Sequence, residues 1–120
     1  MIRAIRGATQ VDADDPALVV AATKELMAEL LDRNGVDSED VISLLFTTTP
    51  DLRSTFPAAA ARGGWLDDVP MMCATEIAVP TGLARVVRVM AHVETPLPRS
   101  EIRHVYLHGA SALRPDLVPG

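Results

Sequence analysis

The stretch DVISLLFTTTP, residues 40–50, decides how the rest of the chain has to be arranged. Both of its alternating sets of side chains are apolar or β-branched, the pattern of a strand covered on both faces, and Pro50 ends it. A strand of this kind belongs inside a sheet, so neighbours are to be sought on either side of it.

On the N-terminal side, MIRAIRGATQV (1–11) alternates with a period near two. That spacing puts Ile2, Ala4 and Arg6 on one face and Arg3, Ile5 and Gly7 on the other, so Arg6 projects from a sheet. Between the two strands, Asp15-Pro16 supplies an N-cap and a residue pre-set for the first helical turn, and Asn34-Gly35 supplies a left-handed stop. The helix they bracket carries a stripe of Leu18, Ala22, Leu26 and Leu30, flanked by Val19, Met27 and Leu31, with Lys24, Glu25, Glu29 and Asp32 facing water. This helix is assigned to packing.

On the C-terminal side, FPAAAAR (56–62) reads as a short alanine-rich helix led by Pro57 and stopped by Gly63-Gly64 before Trp65. VPMMCATE (69–76), ARVVRVMAHV (84–93) and IRHVYLH (102–108) read as three further strands, the last reached through Pro96 and Pro98. The order β-α-β-α-β-β-β predicts an α+β fold: a mixed sheet with its helices on one face. No repeat or linker divides the 120 residues, which are expected to form a single domain with residues 115–120 as a flexible tail. So small a domain keeps much surface relative to its core, and an exposed sheet edge or end invites assembly.

A formal charge of −5 argues against nucleic acid or an anionic membrane as the main partner. One cysteine, Cys73, permits no internal disulfide, and the N-terminus lacks the apolar core of a signal peptide; a cytoplasmic protein is expected. All but Lys24 of the eleven cations are arginine, the side chain whose planar fork matches a carboxylate. Base composition of the genome can also produce that bias, so only individual arginines carry an argument.

Motifs for harder chemistry are missing. His92, His104 and His108 lie on two separate strands without a metal-ligand spacing, Cys73 has no glycine-flanked elbow, and no glycine-rich loop suggests a nucleotide. Neither metal nor cofactor is expected. The unusual residues are charges within apolar strands: Arg6, Arg88 and Glu76, with Tyr106 on the last strand. Such charges cost free energy unless paired. They form either an internal salt-bridge network or a pocket whose anionic partner is a ligand.

Several blocks in order, IRGAT (5–9), TTTPDLRSTFPAAAAR (47–62), Gly64-Trp65, Val69-Pro70, Cys73 with Glu76, RVM (88–90), RHVYL (103–107) and LRPDL (113–117), resemble the small trimeric chorismate mutases of the AroH class. The resemblance runs from about Met1 to Leu117 and implies the Bacillus chorismate mutase-like fold, a trimeric pseudo-α/β barrel with active sites between subunits. It implies the Claisen rearrangement of chorismate to prephenate on the route to phenylalanine and tyrosine, a pericyclic reaction that needs no nucleophile, metal or cofactor.

Carried over by motif, Arg88 faces the ether oxygen, Arg6 and Tyr106 bind the carboxylate of the enolpyruvyl arm, and Glu76, with Met71, Met72 and Cys73 near it, orients the ring hydroxyl. Phe56, Ala58 and Arg62 would wall the site from the neighbouring subunit, and Leu113 and Arg114 would fold over its mouth. One departure is Ala59, where the family pattern often has lysine; weaker electrostatic steering of a dianion is the expected result. The rival reading is a YjgF/RidA-like trimer that binds small carboxylates at its subunit clefts.

Overall fold

The computed structural model describes residues 1–61, 64 and 66–113. Strand β1 (Ile2–Gln10) is followed by helix α1 (Pro16–Arg33), β2 (Val41–Thr48), β3 (Met71–Thr75), β4 (Val86–Glu94) and β5 (Val105–Leu107). They form a five-stranded sheet in the order β3-β2-β4-β1-β5. The pairs β1–β5 and β2–β3 are parallel, and β4 runs antiparallel to both β1 and β2. The expected mixed sheet is therefore present.

Helix α1 begins and ends where the sequence places its signals. Asp15 Oδ1 accepts the N–H groups of Ala17 at 2.9 Å and Leu18 at 3.2 Å, two of the donors a helix start leaves unpaired. Gly35 turns the chain away at φ 60°, a conformation a side chain disfavours. The buried stripe is Val19, Thr23, Leu26, Met27, Leu30 and Leu31; Leu18, expected on that face, is exposed. The stripe is rotated by about one position because Thr23 takes a core place, its hydroxyl donating to the Val19 carbonyl at 2.7 Å. That internal bond removes the cost of burying it.

Gly7 explains how closely α1 seats on the sheet. A Cβ there would lie 3.1 Å from Leu26 Cδ1, 3.2 Å from Leu30 Cδ1 and 3.3 Å from Val89 Cγ1, so the missing side chain is the space the helix occupies. Around this contact Ile5, Phe46, Val89, Ala91, Val93 and Val105 of the sheet meet Val19, Leu26, Met27, Leu30 and Leu31 of the helix in one core.

Two expectations are corrected here. FPAAAAR forms a five-residue 3-10 turn, Pro57–Ala61, in place of a short α-helix, and Arg62 lies outside the described residues. Pro57 gives up its own N–H and the run is too short to complete an α-helical ladder. The last strand is Val105–Leu107, shorter than residues 102–108, because His108 adopts φ 53° and turns the chain into another 3-10 segment, His108–Leu113. The expected tail, 115–120, lies outside the described residues.

The two-sided burial of β2 is met on one face only. Phe46, toward α1, is 1% exposed, while Leu45, on the opposite face, is 40% exposed and its cross-strand neighbour Met72 is 72% exposed. With Ile2 and Met90 they leave much of that face bare and apolar in the single chain, whereas its Ala8 and Val86 are covered by Ala110.

Candidate active site

The bare face carries a row of aligned residues that crosses the whole sheet. Ala74 of β3 pairs with Thr47 of β2, Thr47 with Arg88 of β4, Arg88 with Ala8 of β1, and Ala8 with Tyr106 of β5. Residues in register point to the same side. Ala8 is the small floor between two long walls, Arg88 and Tyr106, whose Cα atoms are two strand spacings, about 10 Å, apart. The result is a cavity of about 460 Å³ lined by Arg6, Ala8, Leu45, Thr47, Arg88, Met90, Tyr106 and Leu113 among others. That volume is within the ordinary range for a small-molecule site.

Arg6 stands one row away and is steadied through its backbone. Its N–H donates to His104 Nδ1 at 2.9 Å, so a side chain replaces the next rung of the β1–β5 ladder. His104 accordingly keeps Nδ1 as an acceptor. Among the described residues, neither the Arg6 guanidinium nor the Tyr106 hydroxyl has a hydrogen-bond partner. Two donors therefore face the cavity free to take a ligand's carboxylate.

Arg88 is paired, and the manner of pairing matters. Its Nε donates to both oxygens of Glu76 at 3.1 Å, while its Nη nitrogens have no partner among the described residues. Glu76 is held just past β3 by its N–H, which donates to the Thr48 carbonyl at 2.8 Å. The Thr47 hydroxyl donates to Glu76 Oε2 at 2.7 Å. So the expected alternatives are each met in part: Arg88 and Glu76 form an ion pair, and Arg6 stays out of it. The Arg88–Glu76 pair also borders a second cavity of about 460 Å³, walled by Thr49, Ile77, Val79 and Leu83.

The strand carrying Arg88 is fixed at its start. Arg85, at φ 54°, has its N–H bound by Asp51 Oδ2 at 3.0 Å and donates from Nε to the Val11 carbonyl at 2.9 Å. A left-handed non-glycine residue costs free energy, and these contacts hold it there.

The structure brings Arg6, Arg88, Tyr106 and Leu113 to the first cavity, while Glu76, bonded to Arg88, lines the second. It does not bring the rest of the expected set to either cavity. Met71 and Cys73 pack against the helix-side core, because β3 pairs Cys73 with the buried Phe46. Met72 is on the bare face, two strands away from Arg88 and open to solvent. Ala58 sits in the 3-10 turn on the helix side, and Phe56 just before it is 64% exposed. Arg114 and Arg62 lie outside the described residues. Thr47, Ala8, Leu45 and Met90 were not singled out by sequence. Register was the signal that could have found Thr47 and Ala8, since both align with Arg88 once β4 is placed between β1 and β2.

The chorismate mutase type I family model matches residues 2–117. The chain belongs to that family. Among similar curated proteins, Chorismate mutase AroH of Thermus thermophilus is 47% identical over 118 residues, covering 98% of this chain and 97% of that protein. Chorismate mutase AroH of Bacillus subtilis is 44% identical over 119 residues, covering 98% and 93%. A solved chorismate mutase from Clostridium thermocellum superposes with a TM-score of 0.89 at 44% identity, over 92% of this chain and 98% of that one. The mixed sheet with α1 packed on one face is thus the chorismate mutase fold, and family membership favours the isomerase over the carboxylate-binding alternative.

Proposed function

We infer that the chain converts chorismate to prephenate and that the cavity between Arg88 and Tyr106 is where it does so. The observation that carries this is the cross-sheet row: one cation held by a carboxylate at one wall, two free donors at the other, and an alanine floor between them. The rearrangement breaks a carbon–oxygen bond while a carbon–carbon bond forms, and the ether oxygen gains negative charge as it leaves. No atom is added or lost.

In this reading, Arg6 and the Tyr106 hydroxyl take the carboxylate of the enolpyruvyl arm and fold it over the ring. That restriction removes rotational freedom before reaction. The Nη nitrogens of Arg88, clamped from behind through Nε, donate to the ether oxygen. A donor already in place costs no reorganisation when the charge develops. Glu76 accepts the ring hydroxyl through Oε1, the oxygen that Thr47 leaves open.

The bare apolar face supports a trimer in which three such sheets meet. It would cover Leu45, Met72 and Met90 and so supply the second face that β2 was expected to bury. An exposed Phe56 fits a residue that, with Ala58 and Arg62, walls a neighbour's site, with Leu113 and Arg114 folding over the mouth; of Met71, Met72 and Cys73, Met72 is the one on the face the trimer would cover. A cytoplasmic setting is part of the same proposal, and among the described residues no helix is long and apolar enough to cross a membrane.

The test is direct: purified protein with chorismate and a chelator, followed by loss of chorismate absorbance and by chromatography of the product. Prephenate forming at many times the uncatalysed rate is expected. An unaccelerated reaction would overturn the assignment.

A further inference from the structure

The structure assigns Thr47 as a positioning residue for the rearrangement, acting through Glu76 to fix the Arg88 guanidinium; the inference rests on the reaction proposed above. Glu76 Oε2 accepts both the Thr47 hydroxyl at 2.7 Å and Arg88 Nε at 3.1 Å, whereas Oε1 accepts only a share of the Arg88 Nε–H at 3.1 Å. A carboxylate has about four lone-pair positions, so the unspent capacity is concentrated on Oε1. Thr47 thus determines which oxygen is left for a ligand hydroxyl.

It also determines where Arg88 points. The Glu76 side chain is 17% exposed, and on its inner side Thr47 is the donor that stops the carboxylate from rotating about its last bond. Were it to rotate, the Nε clamp would move and the Nη nitrogens with it. Position 47 suits this task for two reasons. It lies in register with Arg88, which brings its hydroxyl beside the pair, and its branched Cβ restricts χ1 on a strand, so the oxygen is aimed before any ligand arrives.

The neighbouring threonines show that the assignment is particular to this position. Thr48 serves through its backbone carbonyl, which takes the Glu76 N–H, and Thr49 Oγ1 accepts the Val86 N–H at 3.0 Å. Of these three threonines, Thr47 is the one whose side chain bonds the Glu76 carboxylate.

The experiment compares Thr47→Val, which keeps the shape and loses the hydroxyl, with Thr47→Ser, which keeps the hydroxyl. With chorismate, Thr47→Val should lower kcat about tenfold or more while KM stays within about twofold, the signature of a bond that matters in the transition state. Thr47→Ser should return kcat to within about threefold, being less rigid at χ1. In parallel, the Arg88 Nε–H signal of ¹⁵N-arginine-labelled, ligand-free protein should move toward a solvent-exposed position in Thr47→Val and stay in Thr47→Ser. A rise in KM alone, equal losses in both variants, or an unmoved Nε–H signal would each overturn the positioning role. Because the spectroscopic arm needs no turnover, it separates failure of this inference from a wild-type protein that is inert toward chorismate.

Discussion

The two faces of the sheet are made by the same strands and obey different rules. Toward α1, most of the sheet's residues are apolar and buried; Gly7 is there because the helix comes too close for a side chain, and Thr9 is fully buried with no hydrogen-bond partner for its Oγ1 among the described residues. On the other face the row Ala74, Thr47, Arg88, Ala8 and Tyr106 mixes small, polar and charged groups and ends at the Tyr106 hydroxyl, which has no hydrogen-bond partner among the described residues. The first face stabilises the chain mainly by burying apolar surface. The second presents donors to solvent, which adds little to folding and suits a ligand that can pair with them. A substitution on one face should therefore be read as stability, and on the other as turnover or assembly.

The largest expected effect lies on the open face. Arg88→Ala should lower kcat by at least 10²–10³-fold, the usual loss for one preorganised donor, with the subunit still folded. Arg88→Lys should not restore it: an ammonium held by Glu76 has no second, rigidly linked nitrogen to offer the ether oxygen. Steady-state kinetics with circular dichroism decides the matter. Turnover within tenfold of wild type in Arg88→Ala would show that the charge at residue 88 is not the catalytic term, and the same result in Arg88→Lys would show that the guanidinium's fork is not needed.

Next comes a paired test of the two faces. Leu26→Ala, beneath Gly7, should cost about 2–5 kcal/mol by denaturant unfolding, because a buried leucine leaves a cavity. Leu45→Asp, on the bare face, should leave the fold of the chain in place and shift the mass from three chains toward one, since a carboxylate cannot be buried unpaired between sheets. Sedimentation velocity reads the second. If Leu45→Asp unfolds the chain while Leu26→Ala is neutral, the roles of the faces are reversed.

How far the sequence was legible follows the same division. Helix α1 and the strands could be read because capping, period and punctuation are local: Asp15, Gly35 and Pro50 each act within a few residues. The shortening of β5 was not legible, because His108 has no glycine to announce a left-handed turn. Nor was the 3-10 form of residues 57–61, since alanine favours an α-helix wherever length permits. At the site, Arg6, Arg88, Glu76 and Tyr106 stood out as polar residues in apolar strands. Thr47 and Ala8 did not, because their importance comes from cross-strand register, which depends on the order β3-β2-β4-β1-β5 and is written in no single segment. The two-sided pattern of β2 is met on one face within the chain, and the proposed assembly is what would cover the other.

The smallest effect sharpens the comparison from the helix-covered side. Asp14, just before α1, accepts the Arg53 N–H at 3.0 Å and the Ser54 N–H at 3.1 Å, tying the start of the helix to the loop that leads into the Pro57–Ala61 turn. Hydrogen bonding, first from the Ser54 side chain and then from the Arg53 backbone, holds its carboxyl below the usual 3.8. A carboxylate whose pKa is depressed by folding adds stability above its unfolded pKa and loses it as the pH falls through the folded one. Asp14→Asn should therefore lower the thermal midpoint by a few degrees at most near neutral pH, and the gap to wild type should close in acid. Calorimetry at matched protein concentration across that range is the measurement. A gap that persists unchanged in acid would mean that the amide lacks something other than charge, and that shape rather than ionisation secures the loop.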